Sequence, residues 1–211
     1  MNAKQLAPLS GVLAVLLIIA AFAVGGETPE ANDPLSEVIS YYSDHDADLQ
    51  ISGGLLGLGA FFFLLFSTTV AGALRRAPGA SKGAAAFSFA GGIVFAVGAT
   101  IFAGLGFTAG DVVGDVDPAV VQALNALGAD MFFTVAVGTG AFLLGAGVGT
   151  LKTGVLPRWL GWAAVVIGVI AITPAGFFGF LALGVWTLVA SVMLAMQSGR
   201  ESDAPPLTEA R

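Results

Sequence analysis

The chain has no cysteine, one histidine, two tyrosines and only 10% charged residues across 211 positions. Each shortage excludes something. Without cysteine there is no disulfide, no thiolate nucleophile and no cysteine-ligated metal. One imidazole cannot make a bis-histidine haem and makes a poor zinc site. Soluble domains carry roughly a quarter charged residues, so a chain that is 56% hydrophobic and 10% charged is no ordinary soluble globule. The long apolar stretches also lack an ionisable residue near their midpoints, with Asp130 only at an entrance. Such groups usually mark proton relays, ion paths or substrate counter-ions. No nucleophile–base pair, phosphate-cradling glycine loop or dinucleotide fingerprint stands in a suitable context. The sequence therefore nominates no catalytic residue, no cofactor-binding residue and no cofactor.

What is present is a set of continuous apolar runs long enough to cross about 30 Å of hydrocarbon at roughly 20 residues each. The runs do not alternate, so they read as helices and not as barrel strands. The expected fold is an all-α bundle of six transmembrane helices at about 6–24, 51–74, 84–108, 131–151, 158–173 and 176–197. Residues 198–211, with Pro205-Pro206 and mixed charge, read as a flexible cytoplasmic tail behind a single transmembrane domain, 1–197. Ala21-Phe22-Ala23 also resembles a small-residue cleavage site, but the apolar run before it is long for a signal peptide. A retained first helix is expected.

Charge orients the bundle. All eight bases (Lys4, Arg75, Arg76, Lys82, Lys152, Arg158, Arg200 and Arg211) fall on one side of the hydropathy plot. Eleven of the fourteen acids fall on the other side, in residues 27–48 and 111–130. Lys and Arg flanking membrane helices stay cytoplasmic, which predicts a multi-pass protein of the cell membrane with both termini inside. The acidic outer face repels nucleic acid and attracts cations. Trp159 and Trp162 beside Arg158 belong at the inner interface, whereas Trp186 falls mid-span and reads as a packing residue.

The two acidic loops look like copies. Asp33-Pro34, Ala47-Asp48 and Gly57-Leu58-Gly59-Ala60-Phe61 recur in order as Asp117-Pro118, Ala129-Asp130 and Gly138-Thr139-Gly140-Ala141-Phe142. Each Asp-Pro reads as an N-cap followed by proline at the first helical position. Leu35, Val38, Ile39 and Tyr42, and then Val120, Leu124 and Leu127, recur at helical spacing, with Gly128 as a stop. The reading is two short amphipathic extracytoplasmic helices, about 34–44 and 118–127, roofing a parallel repeat of hairpins. Small-xxx-small pairs such as Gly53/Gly57 and Gly145/Gly149 allow close helix approach. Hydroxyls such as Ser67, Ser88, Thr69, Thr139 and Ser191 read as structural.

The one concentrated polar tract is Asp44-His45-Asp46-Ala47-Asp48. Carboxylates and an imidazole suit a divalent cation, which makes Asp44, His45, Asp46 and Asp48 the only metal-ligand candidates. The spacing fits no calcium loop, lacking the turn glycine and the terminal bidentate Glu. A solvated helix end is the expected use.

Leu156-Pro157-Arg158-Trp159-Leu160-Gly161-Trp162, after Lys152-Thr153-Gly154-Val155, is similar to an element of uncharacterised six-pass bacterial membrane proteins, often actinobacterial. The tract from Tyr41 to Asp48 ahead of the second span fits as well, as does a composition rich in Ala, Gly and Val with three lysines. The resemblance implies a six-pass fold over nearly the whole chain and brings no activity. The expected function is a non-enzymatic membrane protein that interacts with itself, lipid or a membrane partner. The alternative is a passive or weakly coupled carrier of a small neutral or cationic solute, and third a lipid-modifying enzyme. A carrier requires a hydrated cavity between the hairpins, reached by hydroxyls such as Thr69 or Thr139.

Overall fold

A computed structural model describes the backbone of residues 3–203 and the side chains of residues 7–197. Seven helices account for nearly all of it: α1 Ala3–Gly25, α2 Leu35–Asp44, α3 Asp46–Arg76, α4 Lys82–Val112, α5 Pro118–Thr153, α6 Arg158–Ala171 and α7 Gly176–Asp203. The all-α expectation holds. Five of the helices (α1, α3, α4, α5 and α7) are long and apolar enough to cross a membrane. The expected sixth span is the exception. The 14 residues of α6 extend only about 21 Å at 1.5 Å per residue, short of about 30 Å of hydrocarbon.

The turn after α6 meets that shortfall with internal hydrogen bonding. Thr173 N donates to Ile170 O at 3.0 Å, Gly176 N to Thr173 O at 2.9 Å, and Ala175 N to Thr173 Oγ1 at 3.2 Å. Pro174 has no N–H to satisfy. A turn this self-contained tolerates a low-dielectric level that would penalise open backbone.

The described loops sort by charge. The α3–α4 and α5–α6 turns, carrying Arg75, Arg76, Lys82, Lys152 and Arg158, lie together at one end; a Cβ on Gly79 would sit 3.7 Å from Lys152 O. Gly79 and Gly154 make these turns possible by adopting φ of +73° and +69°, a left-handed conformation that side-chain-bearing residues rarely take. The other end gathers the segments around residues 25–48 and 110–130. Trp159 and Trp162 are exposed near the basic end, while Trp186 is buried and donates from Nε1 to Leu160 O at 3.0 Å.

The two roofing helices came out differently. The first is α2, broken from α3 at His45 (φ −123°, ψ 20°). The second is not separate: residues 118–127 are the opening turns of α5, a single helix of 36 residues about 54 Å long. Gly128 does not stop it, because an isolated helix glycine costs only about 1 kcal/mol against alanine and here it is buried. The capping differs too. Asp117 accepts from Ala119 N at 2.9 Å as expected, but Asp33 turns back to accept from Glu30 N at 2.7 Å. Nor do the repeated glycine motifs share an environment, since Phe61 is 56% exposed and Phe142 fully buried. At the far terminus α7 continues to Asp203 through the first residues of the expected tail, and residues 204–211 lie outside the described residues.

The core is aromatic and glycine-rich. Phe63 lies 4.2 Å from Phe95 and 5.0 Å from Phe142 between ring centres, and Phe142 packs edge-on to Trp186 at 5.8 Å. Lipid tails are as apolar as these rings, so van der Waals fit and not water exclusion drives such packing. The tightest fit is α4 on α5. Gly91 and Gly98 of α4 meet the backbone at Ala141–Phe142 and Thr134–Val135, while Gly138 and Gly145 of α5 meet the backbone at Phe95 and Ser88. Each pair is seven residues apart, the spacing of a left-handed seam. Of the expected small-residue pairs, Gly145 and Gly149 are both in tight contact. A Cβ on Gly53 would sit 3.6 Å from Ala103 O, and Gly57 faces open space.

Candidate functional site

The principal chamber, about 420 Å3, lies at the acidic end where α1, α2, α3, α4 and α5 converge. Its walls are mostly apolar, with Phe22, Leu56, Phe102, Phe107 and Phe177 among them, and its polar groups are few. Local sequence explains how they arrive. On α2 the helical spacing of Val38 and Tyr42 buries both, as expected, and leaves Leu35 exposed. On α5 the buried stripe is Val121, Asn125 and Gly128; of the Val120, Leu124 and Leu127 stripe read from the sequence only Leu124 packs inward, against α2, and Val120 and Leu127 are each 46% exposed.

Five hydrogen bonds tie the elements around the chamber. Tyr42 Oη donates to Asn125 Oδ1 at 3.0 Å, joining α2 to α5. Asn125 Nδ2 donates to Pro29 O and Glu30 O, both at 3.3 Å, holding the loop after α1. Tyr41 Oη donates to Gly25 O at 2.6 Å and Ser52 Oγ to Ala21 O at 2.8 Å, fixing the end of α1. Burial raises the Tyr41 phenol; a Thr28 hydrogen bond opposes this and the negative charge of Asp48 adds to it. Tyr42 is pushed up to about 12, chiefly by burial and then by Tyr41. Both phenols thus stay protonated at neutral pH and act as donors.

The metal candidates do not assemble. Asp44 Oδ2 accepts from Ser40 Oγ at 3.1 Å, and Asp46 accepts from Ala47 N. His45 stacks on Tyr41 at 4.9 Å between ring centres and directs Nδ1 at Tyr41 O, 2.9 Å away, a bond that only a protonated Nδ1 can make. Among the described residues no three His, Asp or Glu side chains come together as a metal site. His45 serves the α2–α3 break. Asn125 was the functional group missed in the sequence, where its only signal was an amide spaced four residues from Val121 and three from Gly128.

The expected carrier hydroxyls lie elsewhere. Thr139 is fully buried against the α4–α5 seam and Thr69 Oγ1 donates to Leu65 O of its own helix at 3.0 Å. Neither lines the chamber. Buried Ser67, Ser88 and Ser191 make no side-chain hydrogen bond. Each sits opposite a glycine of a neighbouring helix (Gly92, Gly145 and Gly11), serving as a small packing residue.

Several long apolar helices around an aromatic core, with charge only at the two ends, define a multi-pass integral membrane protein. No protein-family profile, no curated protein and no solved structure matches the chain.

Proposed function

We propose that this is a non-enzymatic membrane protein whose working part is the acidic-end chamber, which holds a small molecule without transforming it. The observation that carries the reading is the hydrogen-bond framework itself: a chamber of about 420 Å3 closed by Tyr41, Tyr42, Asn125 and Ser52. Apolar walls with a few convergent polar groups are the usual make-up of a small-molecule pocket. General acid–base chemistry needs a group that titrates near the working pH, and the phenols here are raised away from it. The α4–α5 seam, where a carrier would need water, is filled backbone to backbone.

In this reading the protein passes six times through the cell membrane of a bacterium, as the resemblance of its Leu156–Trp162 loop implies. The short α6 then turns back below the outer interface, both termini are cytoplasmic and the chamber is extracytoplasmic. This reading keeps the first helix, whose Ala21, Phe22 and Gly25 supply one wall of the chamber.

Native mass spectrometry of protein released gently from membranes tests the proposal. One retained small molecule per chain is expected, lost several-fold in Ala129→Trp, which fills the chamber mouth, with melting unchanged. Retention unaffected by Ala129→Trp, or turnover of the bound molecule during incubation, would overturn it.

A further inference from the structure

The chamber does not end at its own walls. Phe22 of α1 and Phe177 of α7 line both it and a second cavity of about 370 Å3. The second is an apolar groove between α1 and α7, with Phe63 and Phe95 as its floor and Thr187 as its only polar lining residue. Towards the basic end the two helices close on each other where Gly11 meets Ser191. Ile19, Leu181 and Val185 on the rim are exposed, so the groove opens sideways into lipid.

Its length is informative. From Phe177 to Leu188 the groove follows α7 for eleven residues, about 16 Å at 1.5 Å each. Half of a 30 Å hydrocarbon layer is about 15 Å. The groove therefore has the depth of one leaflet, with a polar chamber at its headgroup end.

The chamber also states what kind of head it accepts. Its side-chain donors are already engaged: Tyr41 to Gly25 O, Tyr42 to Asn125, Asn125 to Pro29 O and Glu30 O, Ser52 to Ala21 O, and Thr28 with Tyr41. No Lys, Arg or His lines it, and Glu30 does. What remains open is acceptor capacity in carbonyl, hydroxyl and carboxylate oxygens. A ligand must therefore bring donors, and a bare phosphate would bring only acceptors and a like charge.

We infer that chamber and groove together bind one outer-leaflet lipid, its head carrying hydroxyl or ammonium donors and one acyl chain lying between α1 and α7. This rests on the binding reading above and supplies its ligand class.

The test uses the full chain in phosphatidylcholine vesicles, photolabelled with diacylglycerol bearing a diazirine in its acyl chain. Labels are mapped by mass spectrometry. They should concentrate on Ile19, Leu181 and Val185. Unlabelled diacylglycerol or phosphatidylethanolamine should compete roughly tenfold better than phosphatidic acid, the discrimination of about one charge-assisted hydrogen bond. Gly184→Leu, built where a Cβ meets only Val15 at 3.8 Å, should reduce groove labelling several-fold. Glu30→Lys, in an exposed loop, leaves the bundle alone and should shift the preference towards phosphatidic acid.

Groove labelling with no headgroup preference would overturn the ligand class and leave the binding chamber standing. Labelling spread evenly over the lipid-facing surface, while Ala129→Trp still abolishes retention of a bound molecule, would overturn a lipid occupant. Even labelling together with retention indifferent to Ala129→Trp would overturn the underlying reading as well.

Discussion

Tyr42 and Asn125 are separated by 83 positions and joined by one buried hydrogen bond. Nothing local in either segment announces the pair. Tyr42 is legible as the inward residue of an amphipathic turn, but an asparagine beside larger apolar residues reads as polar surface until α2 is laid against it. The phenols offer a direct test, since Tyr41 and Tyr42 are the only two tyrosines. Their folded pKa values are raised, Tyr42 to about 12, above the ordinary value near 10. A raised folded pKa means the unfolded chain loses its protons first. The stabilisation is complete below about pH 10 and is lost as pH climbs through 12. Unfolding in micelles should be insensitive to pH from neutrality to about 10 and then fall. Phenolate absorbance in the folded protein should not rise at the ordinary pH. Tyr42→Phe should flatten the alkaline fall and cost about 1 kcal/mol at neutral pH, the net worth of one hydrogen bond. Ordinary titration of both phenols in the folded state would contradict the network.

Helix identity was legible because the apolar runs are continuous and lipid leaves no other way to satisfy the backbone. Boundaries were less so. The Asp117-Pro118 start of α5 was readable from its capping chemistry, yet Gly128 was misread as a stop, since a glycine ends a helix only where the chain has reason to turn. The length of α6 was overestimated because Ile172 and Thr173 continue the apolar run that Pro174 interrupts. The α4–α5 seam was foreshadowed at Gly145, but the sequence could not say which of thirty glycines carry contacts. Two substitutions separate those roles. Gly91→Ala drives a methyl into the backbone of Ala141 and Phe142 and should destabilise by about 1–3 kcal/mol, the range for overpacking. Gly104→Ala meets open space and should be neutral or stabilising by up to about 1 kcal/mol. Reversible unfolding in mixed micelles measures both, and equal effects would contradict the seam.

At the scale of the whole molecule, the bases and acids of the described loops occupy opposite ends of the bundle, and the absence of native cysteine makes the orientation easy to check. Ser43→Cys, exposed in the last turn of α2, should react with an impermeant maleimide from outside intact cells. Ala80→Cys, in the α3–α4 turn, should react only after permeabilisation; the reverse pattern would invert the proposed topology. The sequence by itself determined the membrane class, the helical class and the two-ended charge, because each depends on composition along the chain and on the energetic cost of polar groups in lipid. Only the tertiary structure decided that α2 and the start of α5 close over a chamber, that α1 and α7 leave a groove beneath it, and that among the described residues Asp44, His45, Asp46 and Asp48 do not gather around one point. Those features depend on which faces meet across about 30 to 180 positions of chain, from Ser52 on Ala21 to Ser191 on Gly11, and helical spacing alone gives a face without naming its partner.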